Sequence, residues 1–145
     1  MNAISREPGP GAPAMPGGPA LWRLGFRPFY LLASLYAAIA VPCWVLEFAG
    51  ALPPPLLGGP LGHAHEMLFG FALAVIAGFL FTAVRNWTVL PTPTGARLAT
   101  IAALWVAGRV LAHTPWPWAS LAANAAFPLA VAAGIAVPLV RSGNS

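Results

Sequence analysis

The chain has 145 residues, of which 59 % are hydrophobic and 7 % charged, with a formal net charge of +4. A water-soluble domain is about a quarter charged, so this chain could not cover its own surface in water, and composition alone assigns it to the membrane proteins. Every basic residue is an arginine (Arg6, Arg23, Arg27, Arg85, Arg97, Arg109, Arg141), and these form no patch or run, which speaks against a nucleic-acid partner.

Residues 1–20 are rich in Pro, Gly and Ala without apolar periodicity, and read as a disordered tail. No apolar core follows the first basic residue, so the tail is not a signal peptide. Residues 21–27 form a juxtamembrane basic-aromatic element, "RLGFRPF" running from 23 to 29, read as an orientation anchor. A four-helix transmembrane domain is expected over 28–140, all-α and polytopic, with spans at about 28–50, 63–84, 96–112 and 118–140. The first span, at 1.5 Å per residue, reaches roughly 34 Å, enough for a bilayer core. Pro42, Pro128 and Pro138 are expected to kink their helices. No segment alternates as a barrel strand would. Residues 141–145 are read as a cytoplasmic tail. The single cysteine, Cys43, lies in an apolar run, can form no intrachain disulfide and reads as a small buried hydrophobe.

The arginines give an orientation. Arg6, Arg23 and Arg27 precede the first span, Arg85 and Arg97 flank the loop between the second and third, and Arg141 follows the fourth. The other loops, about 51–62 and 113–117, contain no arginine. The positive-inside rule then puts both termini in the cytoplasm. "NWT" at 86–88 matches a glycosylation sequon but falls on that same cytoplasmic side.

This topology gathers the rare polar groups at the outer leaflet. Glu47 ends the first span, His63, His65 and Glu66 open the second, and Arg109 and His113 close the third. Ionisable groups in a membrane are costly, and their clustering is read as functional by default. At about 100° per residue, His63 and Glu66 lie about 60° apart and His65 about 160° from His63, so the histidines do not share a face. Met67, Gly70, Ala74 and Gly78 continue the His63 face, a small-residue row that lets a helix approach closely. Imidazoles ligate haem iron or copper, and a neighbouring carboxylate can fix their tautomer. Equally, these groups could cap a helix in the wet interface. "HEMLF" is no zinc-protease motif, because Phe69 stands where the second histidine would be. Arg109, on one face with His113, could pair with Glu66 or Glu47, clamp a ligand carboxylate, or snorkel to the interface.

Three stretches go further: "LWRLGFRPFYLLASLYAA" (21–38), "HAHEMLFGFALAVIAGFLFTAVRNWT" (63–88) and "ALWVAGR" (103–109). In order and spacing they closely resemble the start of the NnrS family. The resemblance implies a bacterial inner-membrane protein containing haem and copper, acting in the response to nitric oxide and nitrosative stress, often beside denitrification genes. It implies His63 and His65 as haem or metal ligands, with Glu66 supporting them. Arg109 matches the family's third-helix pattern, while His113 and Glu47 match less closely. Family members are longer, with more helices and further histidines, so an amino-terminal, truncated or partial form is expected. Beyond the lipid bilayer, the expected partners are nitric oxide and further copies of the chain or other membrane subunits. The competing readings are a cofactor-free membrane fragment with a structural or assembly role, and a small transporter.

Overall fold

The computed structural model describes residues 19–53 and 58–143, and among these it contains helices and no strands. A short 3-10 helix, Ala20–Arg23, leads into α1 (Phe26–Phe48). Then follow α2 (Gly59–Thr88), α3 (Gly95–Ala112) and α4 (Pro117–Ser142). All four are long and apolar enough to cross a membrane. The expected tail at 1–20 falls mostly outside the described residues, as do 144–145.

The helix starts differ from the sequence reading in one way that matters. α2 begins at Gly59, four residues before His63, because Pro60 supplies a ready-made first turn. The His-Ala-His-Glu run therefore sits inside a helix, not at its opening. Part of the juxtamembrane element is helical, since α1 begins at Phe26, and Arg141 belongs to α4. Pro42, Pro128 and Pro138 lie inside helices that continue past them.

A second departure is in α2 itself. It is α-helical over Gly59–His65, π-helical over Glu66–Ala72, and α-helical again over Leu73–Thr88. A π turn holds more residues than an α turn, so it shifts the phase of everything beyond it.

Successive helices run antiparallel. Phe29, early in α1, packs on Phe81, late in α2, with ring centroids 5.9 Å apart. Further along, Tyr36 meets Gly70 and Trp44 meets His63. Gly108 of α3 faces Asn124 of α4, and Pro93 faces Gly134. Phe127 completes an aromatic triple with Phe29 at 5.8 Å. Around these rings, Ala33, Ala74, Ala77, Leu98, Ile101, Ala102, Trp105 and Val131 form the core. The small-residue row does what its composition allows: a Cβ at Gly78 would lie 3.0 Å from the Tyr30 ring and 3.2 Å from the Phe26 backbone.

The outer faces are apolar. Leu61 is 77 % exposed, Leu129 68 % and Val140 65 %. A water-soluble protein does not expose apolar surface on this scale, whereas hydrocarbon accepts it. The chain is a membrane protein built as a four-helix bundle. Its packed core fills one half of the bundle's length, and the other half holds a cavity.

Candidate functional site

The cavity has a volume of about 980 Å³ and lies between the C-terminal half of α1, the start of α2, the end of α3 and the first half of α4. Tyr36, Ile39, Ala40, Cys43, Trp44 and Glu47 line it from α1; His63, His65, Glu66 and Phe69 from α2; Leu111 and Ala112 from the end of α3, with His113 and Thr114 just beyond it. Ser120, Leu121, Asn124 and Pro128 complete the wall. It is a ligand-sized space with mostly apolar walls and a few convergent polar groups.

All six polar residues singled out from the sequence line this cavity or border it. His63, His65, Glu66, His113 and Glu47 are on its wall, and Arg109 lies beneath it. The two histidines stand on different sides of α2, yet the cavity wraps the start of that helix and both reach it. His63 stacks on Trp44 with centroids 4.1 Å apart. His65 stacks on Phe69 at 4.8 Å and bonds through Nδ1 to Glu66 Oε1 at 2.9 Å.

Glu66 is the centre of a polar clasp drawn from all four helices. Its Oε2 accepts from the Tyr36 hydroxyl of α1 and, at 2.6 Å, from Arg109 Nη1 of α3. Arg109 Nη2 donates to Asn124 Oδ1 of α4. Asn124 is held in turn, its Nδ2 donating to the Ser120 carbonyl at 2.9 Å. Trp105 stands edge-on to Tyr36 at 5.5 Å and donates its indole N–H to the Gly70 carbonyl at 3.0 Å, inside the π-helical stretch. Arg109 also lies over the Tyr36 ring, 5.9 Å from its centroid.

Arg109 is 6 % exposed, so it does not snorkel. Its acidic partner is Glu66 and not Glu47. One N–H of each terminal nitrogen is taken by a protein acceptor, so Arg109 ties α3 to α2 and α4. Nε is buried without a partner. Glu66, eight residues into α2, serves as the counter-ion of Arg109 and not as a first-turn cap.

Tyr36, Asn124 and Trp105 were not singled out from the sequence. A signal existed for the first two. A tyrosine hydroxyl or an asparagine amide inside an apolar span has no water to bond and must find a protein partner. Which partner it finds depends on the packing.

The donor set can be tested against the two cofactors. Among the described residues, no group of three or more His, Cys, Asp or Glu is placed to hold a metal ion. A copper ion held wholly by side chains therefore does not fit these residues. Haem asks less of the protein, since the macrocycle supplies most of the iron's ligands and one or two axial side chains complete the set. Two imidazoles beside a largely apolar, aromatic-walled cavity fit that demand.

The chain matches the family model described as NnrS protein over residues 20–145, nearly the whole chain. It belongs to the NnrS protein family. No curated protein and no solved structure matches it.

Proposed function

We propose that this chain is a haem-binding protein of the bacterial inner membrane that takes part in the response to nitric oxide and nitrosative stress. The observation that carries the proposal is the pair His63 and His65 on the wall of an apolar cavity of about 980 Å³, in a chain of the NnrS family. Bound there, haem would supply an iron centre able to take nitric oxide as a ligand. One imidazole, that of His63 or His65, would hold the iron, since the two rings stand on different sides of α2. Trp44 and Phe69, already stacked on the two imidazoles, would limit how far each ring can turn. The apolar wall would keep water from the site, and the clasp beneath would hold the helix that carries both histidines.

The orientation follows from charge. Arg23, Arg27, Arg85, Arg97 and Arg141 cluster at the helix ends on the side away from the cavity. With that side cytoplasmic, both termini are inside and the cavity opens at the outer leaflet.

The purified protein is expected to show a Soret band that weakens in His63→Ala or His65→Ala, with helix content unchanged. Folded protein with no Soret band and no iron by elemental analysis would contradict the proposal and leave the structural-unit reading standing.

A further inference from the structure

We infer that Glu66 is a positioning residue that fixes the tautomer of His65, and that His65 is therefore the stronger of the two cavity imidazoles as a ligand. The second half of this inference rests on the haem-binding reading, while the first half does not.

The proton count on the clasp gives the tautomer. Glu66 Oε2 faces two donors, the Tyr36 hydroxyl and Arg109 Nη1. Its other oxygen, Oε1, faces His65 Nδ1 at 2.9 Å. A carboxylate held this way has only lone pairs to offer, so the nitrogen facing it must carry the proton. His65 is then an Nδ1–H imidazole, and its lone pair is on Nε2, free for a ligand. The stack on Phe69, with planes 28° apart, also restrains the ring. Proton and plane are thus both set before anything binds.

His63 has half of this arrangement. Its ring stacks on Trp44 with planes 26° apart, but neither ring nitrogen has a hydrogen-bond partner among the described residues. Nothing there selects a tautomer, so binding through either nitrogen would have to impose one. Partners that orient a ligating histidine are commonly worth about 10–100-fold in affinity. That factor belongs to His65 and not to His63.

The test begins without any cofactor. Full-length chain with 15N-labelled histidines, in lipid nanodiscs, is measured by NMR, and the rings are assigned with His63→Gln and His113→Gln. His65 is expected as a single Nδ1–H tautomer and His63 as a mixture. Glu66→Gln is expected to make His65 a mixture as well, while Tyr36→Phe, which keeps the carboxylate, leaves it as it was. A mixed or Nε2–H His65 in the wild-type chain overturns the positioning role, and this result stands even if Glu66→Gln does not fold.

Ferric haem is then titrated as the probe. Its Kd is expected to rise about 10–100-fold in Glu66→Gln, at least as much in His65→Ala, and less in His63→Ala. Equal losses in the two alanine variants overturn the ranking. Failure of wild-type chain to bind haem, with the NMR result as expected, contradicts the haem-binding reading and leaves the positioning of His65 intact.

Discussion

Arg109→Ala is expected to lower the stability of the folded chain by about 3–5 kcal/mol, the usual consequence of removing one partner from a buried ion pair. The reason is local. Arg109 is 6 % exposed and ties α3 to Glu66 of α2 and to Asn124 of α4. Without it, the Glu66 carboxylate keeps the Tyr36 hydroxyl and His65 but loses its counter-charge in a region with little water. The double variant Glu66→Gln/Arg109→Met removes both charges and is expected to recover most of the loss, because the unpaired charge, more than the missing contact, is what destabilises. Reversible unfolding in detergent or bicelles measures both. A cost below about 1 kcal/mol for Arg109→Ala would be the value of an exposed pair, and would contradict a clasp buried between the helices.

Gly70→Ala is the second large effect. Gly70 lies within the π-helical stretch with the Tyr36 ring directly against its Cα, so an added methyl would collide with the ring edge. Overpacking a close site of this kind costs about 1–3 kcal/mol. The displaced ring carries the hydroxyl that bonds Glu66, and the Gly70 carbonyl accepts the Trp105 indole, so one methyl disturbs two polar bridges. The expected result is lower stability together with changed Trp105 emission. Gly50→Ala, where the space beside the Cα is open but φ is +74°, is expected to strain the backbone without touching the clasp. Equal behaviour of the two variants in tryptophan emission would contradict the packing described for Gly70.

Much of this architecture is written in simple patterns. Four spans follow from apolar runs bounded by Pro and Gly, and the end of the bundle where the polar groups collect follows from where the arginines stand. The row Gly70, Ala74, Gly78 indicates a close helix contact, and α1 is the helix that makes it. The start of α2 was harder, because the Pro/Gly run before it reads as a loop until Pro60 is given its place at the first turn. The π-helical stretch has no signature in residue type. Within it, Tyr36 packs against Gly70 and Trp105 donates to the Gly70 carbonyl, contacts that no local window contains.

The same division holds at the site. His63, His65, Glu66 and Arg109 are conspicuous because charge is rare in this chain. Their pairing is not conspicuous: spacing alone left Arg109 equally free to meet Glu47 or Glu66. The cavity is a property of helices that meet tightly around Phe29, Phe81 and Phe127 and part beyond them.

Filling the cavity tests whether it binds haem, as proposed above. Ala40 is on its wall and is itself neither a histidine nor a member of the clasp, and Ala40→Trp would occupy the space without removing His63, His65, Glu66 or Arg109. Equilibrium titration with ferric haem is expected to show binding weakened at least about tenfold in this variant, equivalent to about 1.4 kcal/mol, with the thermal midpoint little changed. An unchanged affinity for haem in Ala40→Trp would contradict haem binding in this cavity.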